Sequence, residues 1–104
     1  MNKLITVAVI DSGIYPHIDF KNRIVAFKDF VNGRKNAYDD CGHGTHVSGI
    51  IAGSGYASHG RIRGICPSAC LAGIKVLDRL GNGRIENVLG AGGWIISHQK
   101  DLNI

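Results

Sequence analysis

Apolar residues gather in five segments of the chain, separated by polar and glycine-rich stretches. Short apolar runs at 4–10, 24–31 and 71–77 predict strands, and the first run, LITVAVI, predicts a strand buried on both faces, as in a parallel sheet. Small and apolar residues at 43–52 predict a helix packed closely against a sheet, and the pattern of 84–102 predicts a second helix. The order strand, strand, helix, strand, helix favours an α/β fold with a parallel sheet.

The second predicted helix carries enough apolar residues for one buried face, although three glycines weaken its middle. The residues expected on that face are Ile85, Val88, Leu89, Ile95, Ile96 and Leu102. Before the first helix, Asp39 and Asp40 are expected to serve as N-cap or first-turn carboxylates.

Length and charge exclude several classes of protein. With 104 residues, 44% of them hydrophobic, the chain makes one small domain. No apolar run approaches the roughly 20 residues that span a bilayer, so we expect no membrane association. The net charge of +4 is scattered rather than gathered in a basic stripe, so we expect no nucleic-acid partner.

The three cysteines, Cys41, Cys66 and Cys70, are odd in number and fit no disulfide framework. Cys66 and Cys70 are interpreted as small buried residues rather than metal ligands. The amino terminus lacks a small-residue cleavage site after its apolar stretch, and together with the unpaired thiols this favours a cytoplasmic location.

Asp11 follows the first apolar run directly and is followed by Ser12-Gly13. Open α/β sheets place their functional groups at the carboxyl ends of the strands. A carboxylate there is partly desolvated and needs hydrogen-bond donors or a cation to remain ionised. On its own, the Asp-Ser-Gly sequence fits a turn residue that caps its own loop equally well.

A second motif, DCGHGTHVSG, places His43 in the first turn of a helix between two glycines, which leave room for a backbone or a substrate near the ring. The positive end of the helix dipole disfavours an imidazolium at this position. A histidine that must accept a proton here therefore needs a carboxylate partner, which Asp11 can supply. His46, one turn further on, is interpreted as a structural histidine.

The segments VAVIDSGI, HGTHVSGIIAG and GICPSACLAGIKVLDRLGNG resemble, in this order, those of the subtilisin-like serine proteases, the subtilases. The resemblance covers nearly the whole chain and implies a three-layer α/β fold with a parallel central sheet, present as its amino-terminal portion. It implies that the protein hydrolyses peptide bonds of polypeptide substrates, with Asp11 orienting His43 and His43 acting as general base.

The resemblance also implies roles for residues outside the Asp–His pair. Leu77, Gly81 and Gly83 would border a cleft in which a substrate backbone pairs as an added strand. Asp19 matches an acidic position that helps to hold calcium in some members, but the loop 53–64 lacks a recognisable set of partner ligands. No cofactor is required for the expected reaction, and calcium is expected only for a full-length parent protein.

The chain departs from the family pattern at the nucleophile. The family's G-T-S-[MF]-[AS]-x-P motif and its oxyanion asparagine are absent from the sequence. None of the six serines has that context, and they are Ser12, Ser48, Ser54, Ser58, Ser68 and Ser97. Residues 1–104 are thus interpreted as a partial catalytic domain that is inactive alone, because catalysis needs nucleophile, base, orienting carboxylate and oxyanion donor together.

Three alternatives remain open at this stage. A single Asp-Ser-Gly after an apolar strand also resembles the dimeric, retroviral-type aspartic proteases. Cys41, His43 and His46, with Asp39 or Asp40, are residue types that bind zinc. Lastly, the chain could be a non-enzymatic fragment, a pseudoenzyme, or half of a split protease that needs a carboxyl-terminal partner.

Overall fold

The computed structural model describes residues 4–104, and it contains a parallel sheet between two helices. The elements, in chain order, are β1 (Thr6–Asp11), a 3-10 turn (Ile18–Phe20), β2 (Ile24–Asp29), α1 (His43–Ala52), a 3-10 turn (Tyr56–Ser58), β3 (Cys70–Lys75) and α2 (Ile85–Leu102). All five predicted elements are present, with ends that differ by a few residues.

The strand order is β1-β3-β2, so the last strand in the chain lies in the middle of the sheet. Both neighbours pair with β3 in parallel, and Asp11 and Asp29 are both in register with Lys75. The carboxyl ends of the three strands therefore meet at one edge, which carries three charged residues side by side.

The core is divided between the two faces of the sheet because successive residues of a strand point to opposite sides. On one face, Leu71 and Val9 pack with residues of α1 that include Val47, Ile51 and Ala52. On the other face, the cluster is formed by β3 and α2, and its buried members are Ala72, Ile74, Val76 and Ala91. This arrangement confirms the predicted three layers.

The prediction that the first strand is buried on both faces is wrong. Ile10 is 41% exposed, and Val7 and Ala8 are only partly buried. The strand with every residue buried is β3. It has a strand on each side and a helix over each face, whereas β1 has only one neighbouring strand among the residues described.

The predicted apolar face of α2 is also wrong in part. Ala91 is buried and Trp94, Ile95 and Leu102 pack against the sheet, but the other four predicted residues face outward. The outward residues are Ile85, Leu89 and Ile96, which are 73%, 71% and 76% exposed, and Val88, which is 46% exposed. At 100° per residue, these side chains form a second apolar stripe about a third of a turn away from the packed one.

Two further findings concern the cysteines and the membrane. Cys70 is buried, as expected, but Cys66 is exposed, because it precedes β3 in a loop on the surface; Cys41 is exposed too. Within residues 4–104, no helix is both long enough and apolar enough to cross a bilayer.

Candidate active site

Asp11 and His43 meet at the carboxyl edge of the sheet. Asp11 is the last residue of β1 and His43 the first residue of α1. The His43 Nδ1 atom lies 2.9 Å from each carboxylate oxygen of Asp11. Since an ionised carboxylate only accepts hydrogen bonds, Nδ1 carries the proton and Nε2 is the ring's proton acceptor. The His43 side chain is 64% exposed and that of Asp11 only 12%, so the pair combines an anchored carboxylate with an accessible imidazole.

Electrostatics favour the charged form of this imidazole. The hydrogen bond from His43 to Asp11, reinforced by the negative charge of Asp11, raises the pKa of His43 above its usual 6.5. The backbone N–H of Ser12 donates to Asp11 Oδ1 at 2.7 Å and helps to fix the position of this carboxylate. The carboxylate partner expected for a histidine at a helix amino terminus is therefore present, and it is Asp11.

Glycines allow α1 to begin directly against the turn that follows Asp11. A Cβ atom on Gly44 would lie 2.1 Å from the backbone oxygen of Gly13, and one on Gly13 would lie 2.1 Å from that of Tyr38. Gly13 also has a φ of +124°, a conformation that side chains disfavour. The Gly44 N–H donates to Ser12 Oγ at 2.9 Å across this approach. Close backbone contact thus sets the distance between His43 and Asp11.

Asp39 holds the amino terminus of α1 in place. Its carboxylate accepts hydrogen bonds from Ser12 Oγ, the Gly42 N–H and the Thr45 N–H, each at 2.8 Å, and from Thr45 Oγ1 at 2.5 Å. Burial alone would raise the pKa of Asp39, but these hydrogen bonds outweigh it and lower the pKa to about 2. The predicted N-cap or first-turn position is wrong for Asp39, because Gly42 is the N-cap residue and the first turn contains no acidic residue. Asp39 instead binds the start of α1 from the preceding loop and links it to the Asp11 turn.

Asp40 is likewise neither the N-cap nor a first-turn residue of α1, so that prediction is wrong for it as well. One of its carboxylate oxygens accepts a hydrogen bond from Lys75 Nζ at 2.7 Å. Sequence reasoning assigned no role to Lys75, although a single lysine inside the apolar run LAGIKVL was a visible signal, because lysine is rarely buried without a partner.

The residues of the metal alternative are not assembled as ligands. Asp39 is engaged by N–H and O–H donors, and His43 Nδ1 by Asp11. His46 is exposed on α1, beside a groove that it shares with His17 and Ile62, so it is not buried as a structural histidine would be. Across residues 4–104, no group of three or more His, Cys, Asp or Glu side chains is arranged to hold a metal ion.

Asp19 lies against the loop 53–64, and its role as a calcium ligand stays a prediction. Its Oδ1 atom accepts a hydrogen bond from the backbone N–H of Ala57 at 2.8 Å, within the loop 53–64. Its backbone oxygen accepts another from the Ser54 N–H at 3.1 Å. Asp19 thus joins this loop to the body of the protein through its side chain and its backbone oxygen.

Leu77, Gly81 and Gly83 lie together in the connection between β3 and α2. Leu77 and Gly83 form an antiparallel bridge, and Gly81 occupies the turn between them with a φ of +81°. Gly83 lines a cavity of about 530 Å³, together with Phe30 and Asn87 and other residues, to which neither Asp11 nor His43 contributes. Their role in substrate binding stays a prediction.

No serine hydroxyl in the part of the chain that the structure describes is hydrogen-bonded to His43. The Ser12 hydroxyl is adjacent to Asp11 but donates to Asp39. The Ser48 hydroxyl is buried within α1 and has no hydrogen-bond partner. Residues 4–104 thus bring Asp11 and His43 together, and none of their serine hydroxyls joins this pair.

Comparison with known proteins agrees with this geometry. The model of the subtilase family matches residues 2–103. The serine protease AprX of Bacillus subtilis is 46% identical over 99 residues, which are 95% of this chain and 22% of that protein. Subtilisin E of Bacillus subtilis is 40% identical over 100 residues, covering 94% of this chain and 25% of that protein.

Among solved structures, a cold-adapted subtilisin-like serine proteinase superimposes with a TM-score of 0.75 and 35% identity, over 88% of this chain and 31% of that one. The chain thus spans between about a fifth and a third of the length of these relatives. An all-β aspartic protease does not match this α/β fold, and that alternative is wrong. On the extent of the family match and on its fold, the chain belongs to the subtilase family, a family of serine proteases.

Proposed function

We propose that this chain supplies the aspartate and the histidine of a subtilisin-like endopeptidase that hydrolyses peptide bonds in polypeptides. The observation that carries the proposal is the Asp11–His43 hydrogen bond, 2.9 Å long and located where β1 meets α1. The raised pKa of His43 and the exposure of its ring suit a group that gains and loses a proton during a reaction.

In the proposed reaction, His43 Nε2 takes the proton of a serine hydroxyl while the serine oxygen attacks the carbonyl carbon of the peptide bond. Asp11 holds the ring with Nε2 toward the serine and stabilises the imidazolium that forms. His43 then gives the proton to the departing amine. A nucleophilic serine and an oxyanion donor complete the site, and we propose that both come from polypeptide outside residues 1–104.

An apolar surface on α2 supports association with such polypeptide. Ile85, Leu89 and Ile96 form a stripe on this helix and are each more than 70% exposed. Gly92 lies within the stripe, where a Cβ atom would meet nothing within 4 Å. Contiguous apolar surface of this kind is typical of contact sites, so we propose that a carboxyl-terminal segment, in the same chain or a separate one, covers it.

A chimera tests the proposal. Residues 1–104 would replace the matched segment of AprX, so that AprX contributes everything that follows. We expect hydrolysis of casein and labelling by a fluorophosphonate, a reagent that reacts with activated serines. His43→Ala and Asp11→Ala should each remove nearly all of this activity.

The exposed histidine His59 provides a matched control, since it lies in the loop 53–64 and outside the Asp–His pair. His59→Ala should therefore leave the activity of the chimera unchanged. A chimera that is soluble and folded by circular dichroism but inactive would contradict the proposal. Activity that survives His43→Ala would contradict it as well.

The apolar stripe has its own test. Leu89→Lys with Ile96→Lys should leave the unfolding midpoint of the isolated chain within error, because both side chains already face solvent. In the chimera, the same pair of substitutions should strongly reduce soluble, active protein. Equal yields of active protein from both chimeras would show that the stripe is not covered.

A further inference from the structure

Lys75 is the last residue of the central strand β3, and its side chain is fully buried. In the sheet it lies between Asp11 and Asp29, with which it is in register. Removing an ammonium group from water is costly unless it is paired and hydrogen-bonded. The surroundings of Lys75 must therefore supply both a counter-charge and acceptors.

Three acceptors surround the Lys75 ammonium. Nζ donates to the backbone oxygen of Ser12 at 2.6 Å, to that of Leu77 at 2.6 Å and to Asp40 Oδ1 at 2.7 Å. A lysine ammonium has three N–H donors, so each donor has one partner. The ring of Tyr38, 5.2 Å from Nζ, adds a cation–π contact.

Each acceptor belongs to a different part of the proposed active site. Ser12 directly follows Asp11 and carries the N–H that donates to its carboxylate. Asp40 follows Asp39, the carboxylate that accepts from the Thr45 N–H of α1, in the loop that leads to His43. Leu77 begins the connection from β3 to α2, which was predicted to border the substrate cleft.

We propose that Lys75 is a positioning residue of the active site. Its ammonium fixes the Asp11 turn, the loop before His43 and the start of the cleft segment relative to one another. Lys75 acts on the reaction through these segments rather than by contact with substrate. Its effect on peptide hydrolysis rests on the proposed function, whereas its effect on the Asp11–His43 geometry does not.

The chemistry of the side chain explains why an apolar residue would not serve. Methionine has a similar volume and would fill the space, but it would leave the Ser12 and Leu77 oxygens without this donor and Asp40 without its counter-charge. Polar groups left unpaired in this way lose stability unless they move to reach water. The turn after Asp11 and the loop before His43 would then move apart, and the hydrogen bond between Asp11 and His43 would lengthen.

The first test uses the 104-residue chain and the NMR signal of the proton between His43 Nδ1 and Asp11, which a hydrogen bond to a carboxylate shifts downfield. Lys75→Met should weaken this signal or move it upfield, with helix content unchanged by circular dichroism. Lys28→Met, an exposed lysine on the neighbouring strand β2, should leave it unchanged. An unaltered signal in Lys75→Met would overturn the proposal.

A second variant covers the case in which Lys75→Met fails to fold. Asp40→Ala keeps the lysine and removes the acceptor that connects it to the loop before His43. This side chain is 35% exposed, so the substitution leaves no enclosed cavity. We expect a smaller change of the same signal in the same direction, and no change would overturn the proposal.

The last test measures turnover in the AprX chimera. Lys75→Met should lower kcat about 10–100-fold with KM changed less than about threefold, the pattern of a misplaced catalytic group. A rise in KM with an unchanged kcat would overturn the proposal. An inactive parent chimera would instead count against the proposed function alone, since the NMR test needs no turnover.

Discussion

Gly44→Ala tests whether backbone contact sets the geometry of the Asp11–His43 pair. The added methyl group would lie 2.1 Å from the Gly13 oxygen, more than 1 Å inside the 3.4 Å at which ordinary contact begins. The obstacle is backbone on both sides, so no side chain can rotate away. The amino terminus of α1, with the adjacent His43, must move away from the Asp11 turn.

The magnitude follows from two opposing terms. Overpacking of a tight contact costs about 1–3 kcal/mol, and the better helix propensity of alanine returns at most about 1 kcal/mol. Gly49→Ala, in the same helix, gains the helix propensity of alanine without the overpacking, because a Cβ atom there would meet nothing within 4 Å. We therefore expect Gly49→Ala to stabilise the chain and Gly44→Ala to be about 1–3 kcal/mol less stable than Gly49→Ala.

Urea unfolding at pH 7, followed by circular dichroism, measures this difference. With an m-value of about 1–2 kcal/mol/M, the two midpoints should be separated by about 0.5–3 M. NMR titration should also show the His43 pKa closer to 6.5 in Gly44→Ala, since the ring has moved from its carboxylate. Equal midpoints for the two variants would refute the argument.

Three further outcomes are expected. Asp11→Asn should lower the pKa of His43 toward 6.5. Because Asp11 raises this pKa, the stability that the pair adds should be complete below about pH 6.5 and lost as pH rises through the pKa of His43 in the folded chain. Urea unfolding of both proteins at several pH values measures this, and a difference in stability that grows as pH rises would contradict the prediction. Asp39→Asn should lower the free energy of unfolding by about 1–2 kcal/mol at pH 7, a figure obtained from the lowered pKa of Asp39, about 2, and reduced because the side chain is partly exposed. This loss should disappear as pH falls from 3.8 through about 2. The control Asp101→Asn, at an exposed position of α2, should leave the free energy of unfolding unchanged. The isolated chain should show no fluorophosphonate labelling above a heat-denatured sample, and clear labelling would mean that a serine within it is activated.

Much of the fold, and the pairing of Asp11 with His43, could be predicted because short stretches of sequence indicate them. The helix α1 begins and ends where its small and apolar residues indicate, at His43 and Ala52. The need of a first-turn histidine for a carboxylate follows from the helix dipole. Asp11 was the suitable candidate, since it ends a strand of the same sheet.

The faces of α2 could not be predicted in the same way. Its sequence contains two apolar stripes, and a helix offers no internal reason to bury one rather than the other. The choice depends on the surface that the sheet presents: Ala91 and Gly90 are small enough for close approach to β3 and to Phe30, while Ile85 and Leu89 face outward.

The sequence alone therefore determined the order of elements, the family resemblance and the pairing of His43 with Asp11, because the signal for each lies in a few neighbouring residues. Only the tertiary structure decided which apolar side chains are buried and what Lys75 does. Two of its three acceptors, Ser12 and Asp40, are 63 and 35 positions away in the chain. Parallel pairing brings such distant residues to one edge of the sheet, and a lysine becomes informative only when its partners there are known.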